Sequence, residues 1–406
     1  MNKTLLIIGA GVESCEGIKI ARSMGLYTIV ADGDPDAPGF ELADYRLNVS
    51  TYDARLMATS AYELTRSGIA IDGVIAMCAD VPLTVAIVAK KLLLPGLSIE
   101  SAEWVSDKLL MKERLRKKGI PIPRFKRIYS TTAFDSLVSE FDKPFVIKPV
   151  DSRGARGVQL IESEGQYSGA YKLARRESPT GRVMVEQYLA GPQISTETLV
   201  DRGVCYTLGF SDRNYQRLHH TRPFIIEDGG DAPSHLSSAE KKDVTEIAEK
   251  AALALGLNTG VAKGDMVMTA DGARVIEVAG RLSGGYFSTT QILLATGVDF
   301  IKNAVLLALG ENLDPAQLVA TEKKGVAIRY LWPPAGKIKS ISGLERARKQ
   351  SGVEMLSLTI KPGDTILPVS DHTQRAGFVI ATGTDKLHAI KRAADALNSI
   401  SIEYAR

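Results

Sequence analysis

The sequence predicts a multidomain protein of mixed α/β and α+β class. It has an N-terminal parallel α/β layer, a central α+β region and a β-rich C-terminal piece. Three observations carry this. Short apolar runs alternate with helical patterns over residues 1–100, which is the rhythm of a doubly wound parallel sheet. The central region instead alternates apolar and polar residues around turn signals, as antiparallel pairs do. From about Lys323 onward β patterns dominate, with one closing helix. A chain of 406 residues exceeds the usual size of one domain. The predicted domains are 1–100, 101–320, with a small lid subdomain at about 124–190, and 321–406.

The elements follow in order. Leu5–Ile8 and Tyr27–Ala31 read as strands, with the helix Glu16–Met24 between them and Gly25 at its end. Val74–Met77 reads as a strand and Pro82–Leu94 as a helix. One helix is predicted from Glu103 to Lys118, stopping at Gly119 before Pro121-Ile122-Pro123. Phe145–Pro149, Val158–Ile161, Val183–Tyr188 and Ser195–Val200 read as strands. Ala239–Leu255 is an amphipathic helix. Ala262–Thr269 and Arg274–Ala279 form a hairpin about Asp271-Gly272. A long helix is expected over Thr289–Leu309, with Gly310 at its end. Pro362-Gly363-Asp364 is a turn, and Lys386–Asn398 is the last helix.

Composition excludes several classes. Apolar residues at 45% and charged residues at 24% are ordinary for a globular protein. A net charge of +3 is too small to imply a nucleic-acid or membrane partner. No segment approaches the roughly 18 uninterrupted apolar residues of a spanning helix. The apolar run Leu5 to Ala10 is short and leads into a glycine turn, so it reads as a buried strand and not as a leader. Cys15, Cys78 and Cys205 are far apart and form no CxxC pair, which fits a reducing cytoplasm. Each reads as a small core residue. Gly9-x-Gly11-x-x-Ser14, with Asp32 closing the second strand, looks like a dinucleotide fingerprint that lacks its third glycine. It reads either as a tight turn without cofactor or as a place for part of a substrate.

Three sets of residues carry chemistry. A strand delivers Lys148, and the loop Ser152-Arg153-Gly154-Ala155-Arg156-Gly157 follows. Polyphosphate needs close backbone N–H groups and cations, and Gly154 and Gly157 permit that approach. The same pattern also suits a plain glycine hairpin with solvated arginines. Asp265 and Glu277 lie on the two arms of the predicted hairpin, where both can face one side. Two such carboxylates suit Mg²⁺, which takes oxygen ligands and keeps its waters. Glu277 sits within Val275-Ile276-Glu277-Val278-Ala279, and a carboxylate buried there must be paired or metal-bound. Arg281, with Ser283, Gly284 and Gly285, can hold a transferring phosphoryl group or an acyl-phosphate oxygen, and the same residues also suit a surface turn with one solvated arginine.

Four segments in order and spacing resemble the ATP-grasp superfamily. They are Ser106-Asp107-Lys108 with Gly119-Ile120-Pro121-Ile122-Pro123; Pro144-Phe145-Val146-Ile147-Lys148-Pro149; Val185-Glu186-Gln187-Tyr188-Leu189 with Gly191-Pro192; and Ile276 through Gly285. The resemblance implies an ATP-grasp fold flanked by a Rossmann-like N-terminal domain and a β-rich C-terminal domain. It implies ATP and Mg²⁺ as cofactors, with Mn²⁺ as a substitute. Lys108, Lys148 and the loop from Ser152 to Gly157 would contact phosphates. Glu186 and the backbone of Gln187, Tyr188 and Leu189 would hold adenine, and Gln193 the ribose. Asp265 and Glu277 would bind metal. Arg281 and Lys148 would be catalytic.

The pairing of Ala279 with Arg281 resembles the branch of amino-acid (dipeptide) ligases and carbamoyl-phosphate-synthase-like proteins. In that branch Glu227 would meet a substrate ammonium, Arg222 a carboxylate, and Arg281, Ser283, Gly284 and Gly285 the reacting groups. His219 and His220, placed on a strand, would point opposite ways and so make a poor metal pair. The implied activity is ligation of a carboxylate to an amine through an acyl phosphate, with amino acids as substrates. Small molecules are the expected partners, a homodimer is open, and the cytoplasm is the expected location. A bicarbonate-activating or purine-pathway carboxylating enzyme is the alternative. An NAD(P)-binding oxidoreductase or sensor is the reading from a different class.

Overall fold

The structure is a computed structural model that describes residues 3–129, 138 and 140–405. The expected lid at 124–190 therefore falls partly on residues outside those described. The chain forms two compact units, each built from three segments. The first holds 1–122, 195–210 and 236–321; the second holds 123–194, 211–235 and 322–406. These are units of contact. That 1–100, 101–320 and 321–406 act as consecutive domains is a separate proposal.

The first unit contains the parallel sheet. Its strands lie in the order Tyr45–Asn48, Tyr27–Asp32, Thr4–Ile8, Gly73–Ile75. Leu5-Leu6-Ile7-Ile8 is apolar on both faces because both faces are covered. Leu5 and Ile7 point into one cluster with Ile18, Phe300, Ile301 and Val305. Leu6 and Ile8 point into another with Met57, Ala61, Leu64 and Val88. The period of two along a strand produces this split. One cover is thus the helix Phe300–Ala308, distant in sequence, and so contact joins the N-terminal sheet to later residues.

Some expected elements change. The single helix Glu103–Lys118 is two helices, Ile99–Ser106 and Lys108–Lys117. Asp107 divides them: its carboxylate accepts from the N–H groups of Leu109 (2.9 Å) and Leu110 (3.0 Å), which starts a new helix. The long helix Thr289–Leu309 is also interrupted. A π-type turn at Phe287–Gln291 leads into Ile292–Thr296, and Gly297 (φ +76°) ends it. Asp299 then caps Phe300–Ala308. The strand Tyr45–Asn48 and the helix Ala54–Arg66 had no expected counterpart. The hairpin is present as Gly260–Thr269 and Gly272–Ala279, with Gln193–Asp201 beside it in the sheet.

The second unit has a four-stranded antiparallel sheet in the order Phe125–Ile128, Val183–Gln187, Phe145–Pro149, Gln159–Ile161. The helix Tyr167–Arg176 covers it with Ala170, Tyr171 and Ala174. Further strands run Gly229–Ala232, Gly325–Tyr330, Gly377–Gly383, Val353–Leu358. The helix Lys386–Asn398 lies on them through Ala389, Ala393 and Ala396, small residues that permit close packing. Among the described residues no helix is long and apolar enough to cross a membrane.

Gly229 opens one of these strands at φ +134°, and a Cβ there would lie 1.9 Å from the carbonyl oxygen of Ile328. Gly229→Ala should cost on the order of 3 kcal/mol, because backbone strain and a backbone clash act together. Thermal melting checks this; an unchanged midpoint would show that the strand can shift.

Candidate active site

The sequence-derived site residues fall into clusters within each unit. In the second unit, Lys148 and Glu186 lie on adjacent strands of the antiparallel sheet, Phe145–Pro149 and Val183–Gln187. Lys148 Nζ donates to Glu186 Oε1 at 2.7 Å, and both side chains are buried. Burial demands such a partner, since an unmatched charge in an apolar sheet is costly. Glu186 therefore serves Lys148 here, beside its expected adenine role. After this strand, Gly154 (φ +62°) and Ala155 (φ +61°) take consecutive left-handed conformations. That pair makes the tight turn in which Arg156 N donates to Arg153 O at 3.3 Å. Ser152 and Gly157 are buried at the ends of the loop, and Gly154 is exposed at its tip. Gln187, Tyr188, Leu189 and Gln193 are half-buried along the next strand end and strand start.

The loop with Arg222 and Glu227 is also in this unit. Glu227 is paired with Arg213 at 2.7 Å. Arg222 reaches Glu162 in an exposed pair at 2.7 Å, so the structure does not bring it to Glu227. His219 and His220 lie on the short helix Leu218–Thr221, not on a strand, and their ring centroids are 3.8 Å apart. Among the described residues no group of three or more His, Cys, Asp or Glu side chains is placed to hold a metal.

The first unit holds the carboxylate pair. Asp265 and Glu277 are direct cross-strand partners, so both side chains leave the same face. Lys263 pairs with Asp265, and Ser195 Oγ lies 3.5 Å from it. Lys108 Nζ lies 3.2 Å from Glu277. The fully buried Lys112 donates to the carbonyl oxygen of Ile276 at 2.9 Å and so fixes the strand beside Glu277. Mg²⁺ typically takes one or two carboxylates plus phosphate oxygens and waters. A two-carboxylate face fits that chemistry, and Asp265 and Glu277 are the residues that would hold the ion.

Arg281 follows on the same chain segment. It pairs with Asp80 at 3.3 Å and donates to the carbonyl oxygen of Leu282 at 3.0 Å, while its buried Nε has no partner. An unsatisfied buried donor of this kind fits an anionic ligand. Ser283 is held by Glu197, which accepts from Ser283 N at 3.0 Å, from Ser283 Oγ, and from Ser288 Oγ at 2.8 Å. Gly285 N donates to Glu13 at 2.9 Å, and a Cβ on Gly284 would lie 2.7 Å from the same carboxylate. Only glycine fits so near that oxygen without displacing it.

Asp80, Glu197 and Glu13 were missed by sequence reasoning. Asp80 had a signal: it follows the carboxyl end of a parallel strand, where ligands and their partners gather. Glu197 lies in an ordinary strand pattern, and nothing local marks it. Glu13 belongs to the glycine turn that resembled a dinucleotide fingerprint. There Asp32 accepts from the N–H groups of Ala10 (2.7 Å) and Asp34 (3.0 Å), and Glu13 supports Gly285. The turn thus has a structural task, and its acidic edge does not suit pyrophosphate. Burial pushes the Cys78 thiol well up and that of Cys205 up to about 11, so neither is an activated thiolate. Cys15, Cys78 and Cys205 are all only partly buried and not the core residues expected.

Residues 105–285 match the ATP-grasp domain. The chain thus carries an ATP-grasp domain, the domain of ADP-forming ligases. More particularly, residues 329–405 match the L-amino acid ligase C-terminal domain 2. An uncharacterised protein of Sinorhizobium fredii is 27% identical over 98% of this chain and 83% of its own length. Human carnosine synthase 1 is 24% identical over 76% of this chain, which spans only 40% of that relative. The crystal structure of L-amino acid ligase from Bacillus licheniformis superposes with a TM-score of 0.82 at 20% identity, covering 100% of this chain and 99% of that one. At that identity the likeness shows the fold.

Burial raises Glu197 from its ordinary value of 4.5 to about 7, against the pull of the donors from Ser283 and Ser288. A carboxyl group raised on folding stabilises the protein below its unfolded pKa, and that contribution is lost as pH rises through the folded value. Glu197→Gln removes this dependence. Denaturation midpoints at pH 5 and pH 8 should show the variant gaining on the parent by on the order of 3 kcal/mol across that range. Parallel curves would mean that Glu197 is ionised throughout.

Proposed function

We propose that this protein joins two amino acids in an ATP-dependent reaction. The carboxylate of one is activated as an acyl phosphate, and the amine of the other displaces phosphate. The observation that carries this reading is the opposed pair Asp265 and Glu277, each with its own lysine, on a chain whose C-terminal segment matches an L-amino acid ligase domain.

Each residue has a physical task in the reaction. An oxygen of the donor carboxylate attacks the terminal phosphorus of ATP, the bond to the bridging oxygen breaks and ADP leaves, and in between negative charge spreads over the phosphoryl oxygens. Lys148 and the N–H groups of the loop Ser152 to Gly157 offset that charge on the nucleotide. Arg281, fixed by Asp80 and by the carbonyl of Leu282, offers its remaining donor to the transferring group. Magnesium held by Asp265 and Glu277 would supply further charge neutralisation on phosphate oxygens. Glu197 and Glu13 keep Ser283, Gly284 and Gly285 in place from behind, so the substrate meets a rigid backbone. No nucleophilic serine or cysteine is needed, since ATP itself provides the activated intermediate.

The test is a phosphate-release screen with ATP and Mg²⁺ over pairs of L-amino acids, other acids, bicarbonate and amines. Release is expected with amino-acid pairs. Release with bicarbonate and not with amino acids would replace this reading with the carboxylating alternative. Glu277→Ala should abolish turnover while leaving the melting profile cooperative, and near-normal turnover would remove the metal assignment. Lys148→Ala should lower catalytic efficiency by roughly ten- to a thousandfold. It also strands Glu186 in the sheet, which costs on the order of 3–5 kcal/mol, so melting and kinetics are measured together. Unchanged kinetics would refute the phosphate role.

A further inference from the structure

The loop that carries Glu227 is bordered by buried charge that the ligation reading leaves without a task. Four arginines meet three carboxylates there. Arg213 takes Glu227 at 2.7 Å, and Arg329 takes Asp231 through two hydrogen bonds of 2.6 and 3.0 Å. Asp228 remains, with Arg217 at 3.5 Å and the charge of Arg375 also acting on it. The nearby Asp212 is met by Lys386 and His235. The group therefore carries an excess of positive charge.

Its hydrogen-bonding capacity is also incompletely used. Asn214 and Asp228 are 7% and 6% exposed, yet Asn214 Nδ2 and Asp228 Oδ1 have no hydrogen-bond partner. The two residues are adjacent, since Asp228 N donates to the carbonyl of Asn214 at 2.8 Å. Arg375 is pinned beside them. Its guanidinium lies 3.6 Å from the Tyr330 ring centroid, its Nη2 donates to Glu227 O at 2.7 Å, and its buried Nε is unmatched. Buried donors without partners are uncommon in folded proteins and point to a ligand or bound water. Burial raises Asp228 to about 6, while the charges of Arg217, Arg329 and Arg375 pull the other way.

This cluster is joined to the phosphate loop. His372 N donates to Gly154 O at 3.0 Å, and its ring nitrogen Nε2 accepts from Glu227 N at 3.3 Å. The turn His372–Gln374, with Arg375 next to it, thus links the tip of the glycine loop to the loop of Glu227 and Asp228. A ligand taken by Arg375 would lie beside the loop expected to hold phosphate.

We propose that Arg375, Arg217 and Asn214 form a subsite for the free carboxylate of the acceptor amino acid. This rests on the amino-acid ligation reading and makes it more specific. The donor loses its carboxylate to the new bond, but the acceptor keeps its own. Holding that group orients the acceptor amine and keeps its carboxylate from being activated. Arg375 offers Nε on a rigid planar fork, Asn214 offers Nδ2, and the half-exposed Arg217 exchanges Asp228 for the ligand.

The test compares an acceptor amino acid with its carboxamide in the phosphate-release assay, for the parent, Arg375→Ala and Arg217→Gln. The parent should prefer the free acid. Arg375→Ala should raise KM for the acid by roughly 10- to 100-fold, the range for lost hydrogen bonds to a charged group, with KM for ATP unchanged. Arg217→Gln, at a half-exposed position, should narrow the same preference, with thermal melting measured alongside because Arg217 also pairs with Asp228. A parent indifferent to the amide, or variants that keep the full preference, would overturn the subsite while ligation stands. If no amino-acid pair releases phosphate, the ligation reading fails, and calorimetry with acetate and with inorganic phosphate decides the site alone. Binding lost in both variants would support an anion site, whereas no saturable uptake by the parent would mean that only water occupies it.

Discussion

Two carboxylates placed directly across a hairpin repel each other, and the surroundings of Asp265 and Glu277 follow from that. Their register makes them neighbours on one face, where like charges are destabilising. Lys263 and Lys108 offset the repulsion, one from the same strand and one from the first turn of a helix. That helix begins where it does because Asp107 breaks the preceding one. Lys112, one turn further along, ties the helix to the strand at Ile276. The break that disrupts a continuous helix thus places the lysine that the carboxylate pair requires.

The same rule operates around the segment from Arg281 to Gly285. Asp80 meets Arg281, Glu197 meets Ser283, and Glu13 meets Gly285. Three acidic residues from three distant parts of the chain hold five consecutive residues. Glu197 is the costliest of them, because burial opposes its charge more than the donors of Ser283 and Ser288 and the charge of Lys263 offset it. An arrangement that expensive is expected where a backbone must be held still for chemistry.

In the second unit the constraint takes a different form. The buried pair Lys148–Glu186 is neutral as a whole, whereas the group around Asp228 is not. A closed ion pair is a finished structural element. A buried cluster with surplus positive charge and unmatched donors is suited to receive an anion. The turn at His372 binds the second kind of site to the glycine loop, so the C-terminal segment contributes directly to the site region.

Local pattern determined much of this. Leu5–Ile8 was legible because apolar residues on both faces leave no alternative to a doubly covered strand. The hairpin of Asp265 and Glu277, the loop after Lys148 and the helix Lys386–Asn398 were legible from turn residues, glycine spacing and periodicity. The two long helices were misjudged at Asp107 and Gly297, where one capping carboxylate and one left-handed glycine outweigh continuous periodicity. Tyr45–Asn48 is too short to leave a pattern. What the tertiary structure alone decided was partnership. Nothing in the sequence names the partners of Glu13, Asp80, Glu197, His372 and Arg375. Their tasks arise because folding removes water from them and leaves each charge with only the partners that distant segments bring.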